Sequence, residues 1–136
     1  MNRLAGVIAA VERAGSIAIV DVDVLGQRLT ASLIGSGLDV DGWNPGMPVT
    51  LLFAETEVAL AKNLSGLISM RNRIGASVIA IERGSILCRV VLQADGAQIV
   101  SIITTRASHA LSLACGDWVE ALIKANEMRV VTGHPA

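Results

Sequence analysis

Two short stretches hold the residues best suited to chemistry. Residues 68–74 read Ile-Ser-Met-Arg-Asn-Arg-Ile and place Ser69, Arg71 and Asn72 together near the middle of the chain. Residues 123–126 read Ile-Lys-Ala-Asn and place Lys124, Ala125 and Asn126 near its end. Each stretch sets small polar groups and a fixed positive charge beside backbone amides. Such a set of N–H and O–H donors with a permanent cation is what an oxyanion receptor needs. On the pattern alone, an inter-domain linker with a surface arginine and a solvated lysine at a strand end remain open. Thr104 and Thr105 read equally as a helix cap or as donors at a helix start.

Other chemistries find little support. His109 and His134 stand apart from any Cys or carboxylate at ligand spacing, so no metal site is expected. Asp21, Asp23, Asp39 and Asp41 sit at alternating strand or loop positions and read as solvated. No nucleotide-binding glycine loop or Ser–His–Asp order is present, which points away from an enzyme. Cys88 and Cys115 belong to no C-x-x-C pair and read as buried free thiols of a cytoplasmic protein.

The 136 residues suffice for one ordinary domain or two very small ones. Hydrophobic residues make up 52% and aromatics 2%, so the core must be built from Val, Ile, Leu and Ala, a composition that favours sheet. A net charge of −1 gives no general attraction to nucleic acid or anionic lipid. No apolar run reaches the roughly 18 residues of a membrane span, and no leader-like segment opens the chain.

The elements that must position the two stretches follow from period and turns. Val20, Val22 and Val24 alternate with Asp21 and Asp23, as in a half-buried strand. Strands are expected over 4–13, 17–24, 28–34, 49–53 and 57–61, with Leu25-Gly26 a hairpin turn and residues 35–46 a loop with room for one helical turn. Lys62 to Gly66 reads as a linker. The pattern then restarts: strands over 74–82, 86–92, 98–104, 118–124 and 128–131, with Asp95-Gly96 a hairpin turn and a short helix over 105–113 capped by Thr105. The restart is a repeat at an offset of 70 residues, visible in Asn2/Asn72, Glu12/Glu82, Gly26/Gly96, Gly46/Gly116 and Glu57/Glu127, with a one-residue slip at Gly15/Gly84. The expected fold is therefore all-β: two tandem five-stranded OB-like barrels, each with a short helix, spanning 1–62 and 68–132.

The succession Ser69-x-Arg71-Asn72, Glu82-Arg83-Gly84, Ile103-Thr104, a leucine-bearing turn into Gly116-Asp117, and Ala121-Leu-Ile-Lys-Ala-Asn126 resembles the molybdenum-pterin-binding family, the molbindins, also called Mop or TOBE domains. The resemblance covers 69–131, and 2–61 looks like a divergent second copy, a di-Mop arrangement. It implies intracellular binding of molybdate or tungstate, without catalysis or organic cofactor, at interfaces between units or subunits. The contacts it implies are Ser69, Arg71, Asn72, Lys124, Ala125 and Asn126. Asn126 stands where the family usually has Ser. A secondary site would use Thr104 and Ser108, although the family's Ser position is taken here by Ala107. The first copy departs further: Met1 stands in place of Arg71, and Ala54-Glu55-Thr56 in place of Lys124-Ala125-Asn126. The resemblance also implies a homo-oligomer, dimer or trimer, serving molybdenum storage, homeostasis or sensing. The alternative it leaves is a detached sensor domain of a molybdate-responsive transcription regulator or of a molybdate importer's ATPase subunit.

Overall fold

A computed structural model of the chain describes residues 1–35 and 40–132. Ten strands form two five-stranded antiparallel sheets. In the first half lie β1 (Asn2–Ala14), β2 (Ile17–Val24), β3 (Gln27–Ile34), β4 (Pro48–Phe53) and β5 (Ala59–Ala61). In the second lie β6 (Asn72–Arg83), β7 (Leu87–Ala94), β8 (Ala97–Thr104), β9 (Trp118–Ile123) and β10 (Arg129–Thr132). One short helix, α1 (Thr105–Ala110), follows β8. The helical turn expected within residues 35–46 of the first half involves residues 36–39, which lie outside the described residues.

The long strand of each half organises its sheet. β1 pairs with β4 through residues 2–7 and with β2 through residues 7–14. β6 is shared in the same way between β9 and β7. A register shift marks each at the changeover, at Ile8/Ala10 and Val78/Ala80. Such bulges bend a strand, which lets one strand serve two partners lying at different angles. The loop before the fourth strand is tied to each bulge in matching fashion. The Gly46 N–H donates to the Ile8 carbonyl and the Gly116 N–H to the Val78 carbonyl, each at 2.8 Å. The tight turns obey local chemistry: Leu25-Gly26 and Asp95-Gly96 all have positive φ, the mirror-type turn that matches strand twist.

The offset of 70 thus runs through strands, bulges and turns. The slip at Gly15/Gly84 is a turn-length difference, two residues between β1 and β2 against three between β6 and β7. Val20, Val22 and Val24 point into the core, with Leu29, Leu51, Phe53, Ile74, Ile99 and Ile123 among its larger members.

The final strands cross over. The first sheet runs β10-β4-β1-β2-β3 and the second β5-β9-β6-β7-β8. Each half therefore lends its last strand to the other's sheet. Ala59–Ala61 pairs with residues 120–122 of β9, and Arg129–Thr132 with residues 49–52 of β4. The segment expected to be a strand over 57–61 is instead a 3-10 turn at Glu55–Glu57 followed by three strand residues. That turn makes room for the crossing. A matching 3-10 turn, Ala125–Glu127, precedes β10.

Candidate oxyanion site at the end of the second sheet

The β6–β9 ladder ends at the pair Asn72–Ile123. The residues just beyond, Arg71 and Lys124, consequently leave the sheet side by side, although 53 positions of sequence separate them. The two expected stretches are one structural corner. Ser69, Arg71, Lys124 and Asn126 are exposed there, and Ala125 is half-buried.

The two cations face different hollows. Arg71 lines a cavity of about 220 Å³ with Leu67, Ile68, Met70 and Arg73. Lys124 lines a cleft of about 400 Å³ with Met70, Thr104, Glu57 and Glu127. Met70 is a wall of both. Residues 56–59 of the first half and the end of β8 complete the Lys124 cleft, so it is built by both halves of the chain.

Asn72 does not offer its side chain to this corner. It is fully buried. Its Oδ1 accepts from the Thr30 N–H at 2.7 Å, and its Nδ2 donates to the Thr30 carbonyl at 2.9 Å and approaches Met128 Sδ at 3.5 Å. A primary amide has the same donor and acceptor as a peptide, so Asn72 pairs with β3 as if it were an added strand residue. Asn2 does the same from the first half, pairing with the Val100 carbonyl and N–H at 2.8 Å each. The two asparagines stitch the sheets together reciprocally, and these bonds engage the Asn72 side-chain amide that the sequence offered as an anion donor.

The secondary pair is likewise committed. The Ser108 hydroxyl donates to the Thr105 carbonyl at 2.6 Å and accepts from Arg83 Nε at 3.0 Å, in a fully buried position. Thr104, rather than Thr105, caps α1: its hydroxyl accepts from the Ala107 N–H at 3.0 Å. Thr105 instead donates to the Gly84 carbonyl at 2.8 Å. The helix stops at Ala110, short of the expected 113, because Ser112 turns left-handed and Lys62 draws in the carbonyls of Leu111 and Ser112, each at 3.1 Å.

Lys62, read from the sequence as the start of a linker, is thus an anchor. It also pairs with Asp117 at 2.9 Å. That bond, with one from the Ala114 N–H, holds the Asp117 carboxyl below the usual carboxylate range. Arg73 makes a two-pronged bond to Glu120 at 2.8 and 2.7 Å, which lowers the Glu120 carboxyl and raises the Arg73 guanidinium. Arg73 is therefore already neutralised, leaving Arg71 and Lys124 as the cations of the corner. Cys88 is buried as expected, whereas Cys115 is exposed because it sits in the turn between Ala114 and Asp117. His109 is exposed, and His134 lies outside the described residues.

The corresponding corner of the first sheet has different chemistry. Asn2–Phe53 ends that ladder, so Met1 and Ala54 occupy the places of Arg71 and Lys124. Glu55, in the place of Ala125, lies 3.5 Å from the Met1 amino group. A carboxylate stands where the second corner offers small residues and cations.

Comparison with known proteins fits this geometry. Residues 68–130 match the family model of the TOBE domain. The chain is 30% identical over 132 residues to the molybdenum transport protein ModE of Herbaspirillum seropedicae, an alignment covering 95% of this chain and 49% of that protein. It thus spans about half the length of that relative. The structure is similar to that of the cytoplasmic molybdate-binding protein ModG, solved with molybdate bound, with a TM-score of 0.90 and 27% identity over 97% of this chain and 96% of ModG. A molybdate-binding protein from Sporomusa ovata is 37% identical and covers 49% of this chain and 100% of its own, with a TM-score of 0.49. Residues 68–130 therefore form a TOBE domain, and the chain as a whole shares the two-unit fold of ModG, which fits a di-Mop arrangement.

Proposed function

We propose that this protein binds molybdate or tungstate as a cytoplasmic, non-catalytic component of molybdenum storage or homeostasis. The observation that carries the reading is that Arg71 and Lys124 leave the end of the β6–β9 ladder as neighbours, next to the turn bearing Ala125 and Asn126. In this reading Ser69, Arg71, Lys124, Ala125 and Asn126 meet the anion. Backbone N–H groups and hydroxyls serve a tetrahedral dianion well, and two cations offset its charge. Residues 68–132 form the binding unit and residues 1–62 the scaffold. Glu55 supports that division, because a carboxylate repels the ligand.

Arg71 and Lys124 line different hollows of one chain, which favours sites completed between copies of a homo-oligomer, dimer or trimer. Ile17, Ile34, Ile86 and Leu87 are exposed apolar residues at the ends of β2, β3 and β7, as an association surface requires. Among the described residues no helix is long and apolar enough to cross a membrane. A second reading follows from the half-length match to ModE: the same fold as the sensor portion of a longer regulator or importer subunit.

Isothermal titration with molybdate, tungstate and sulfate tests the proposal. Saturable heat with the first two and little with sulfate is expected. Silence with molybdate, or equal affinity for sulfate, refutes it.

A further inference from the structure

Asn72 occupies a place that links three parts of the molecule. It is the first residue of β6 and the end pair of the β6–β9 ladder, directly after Arg71. Its amide is bonded at both ends to Thr30, on a strand of the other sheet. Its Nδ2 also touches Met128, the buried residue that closes the 3-10 turn carrying Ala125 and Asn126. One side chain thus fixes the start of the Arg71 arm, the end of the Lys124 arm and their distance from the first unit. A buried amide with its donors and acceptor all engaged has a single low-energy orientation.

We propose that Asn72 is a positioning residue for the oxyanion site, through which β3 of the first unit holds the two cationic arms in register. The inference rests on the binding function proposed above. It gives the first unit a task that its own altered corner does not: supplying the Thr30 backbone against which the working corner is set. Thr30 itself is held from its other side by its hydroxyl, which donates to Asp21 at 2.8 Å.

The repeat provides an internal control. Asn2 makes the same pair of bonds to Val100, but it borders Met1 and Ala54 rather than Arg71 and Lys124. Asn72→Ala and Asn2→Ala remove equivalent bonds and are expected to lower the thermal midpoint by similar amounts. Only Asn72→Ala should weaken molybdate binding, by about tenfold or more, the usual scale for losing a residue that orients a ligating group. Thr30→Pro deletes the N–H that Asn72 accepts from, together with the hydroxyl bond to Asp21, and sets the proline ring against the Asn72 amide. It should weaken binding in the same direction and add little to Asn72→Ala.

The experiment is titration of the full chain and the three variants with molybdate, well below their melting points, alongside thermal unfolding. Parent affinity in Asn72→Ala overturns the proposal, as does equal weakening in Asn2→Ala. If Asn72→Ala does not fold, Thr30→Pro decides: parent affinity there overturns it. Failure of the unaltered chain to bind molybdate is a separate result that refutes the proposed function itself.

Discussion

Lys124→Ala is the most informative single change for binding. Lys124 is exposed and projects from the end of β9, and its ammonium makes no ion pair among the described residues. Its removal therefore leaves no buried group orphaned, and the fold should keep its melting point within about 2 °C. The loss falls on the ligand. A hydrogen bond to a charged partner contributes about 1.5–3 kcal/mol. A unit charge about 4 Å from a dianion in a largely aqueous setting contributes about 2 kcal/mol, twice the value for two unit charges. Both routes give a similar size, and both describe the same contact, so they do not add. The expected weakening is about 10- to 150-fold in Kd. Titration calorimetry at fixed ionic strength reads it directly, and the deficit should shrink as salt rises, because exposed charges are screened. A Kd within about threefold of the parent would refute the placement of the anion at this corner.

Further outcomes concern other parts of the molecule. Ser108→Ala, which breaks the buried link between Arg83 and Thr105, should cost about 1–3 kcal/mol in denaturant unfolding while leaving the molybdate stoichiometry unchanged; a lost binding site would reinstate Ser108 as a ligand. Phe53→Ala empties the largest fully buried side chain of the first sheet, beside its Asn2 end, and should cost about 3–5 kcal/mol by the same assay; a cost under about 1 kcal/mol would mean that the site collapses freely. Asp117 and Glu120 have folded carboxyls below their unfolded values, so their stabilisation is present above the ordinary carboxylate pKa of about 4 and is lost as pH falls through the lower folded values. Acid unfolding followed by circular dichroism should accordingly be shallower for the Asp117→Asn, Glu120→Gln double variant, and an unchanged slope would contradict those ion pairs.

Much of this arrangement is legible in the chain. Alternation in residues 17–24 predicts β2 to the residue, and Asp95-Gly96 predicts its turn, because both are local effects of sheet pleat and backbone φ. The repeat predicts two matching sheets. The exchange of β5 and β10 is not legible, for a reason that the repeat itself supplies. Ala59 opposite Leu122 and Arg129 opposite Leu52 are equivalent pairings, so a strand returning to its own sheet or crossing to the other satisfies the same pattern. Asn72 and Lys62 were hidden differently. Their partners lie 42 and 55 positions away, and a polar residue near a motif reads as available until its bonds are seen. Ser108 shows the same effect through Arg83. Arg71 and Lys124 could be singled out because fixed charge at strand ends needs no partner to be recognised.

The proposed function puts one tetrahedral oxyanion at the end of the β6–β9 ladder and none at the corresponding end of the β1–β4 ladder. Anomalous diffraction at the molybdenum edge, from crystals grown with molybdate, measures that position without a model of the ligand. A peak within hydrogen-bonding reach of the Lys124–Ala125 backbone and an Arg71 guanidinium, from the same copy or a neighbouring one, is the expected result. Peaks only beside Met1 and Glu55, or only away from both corners, would overturn that placement.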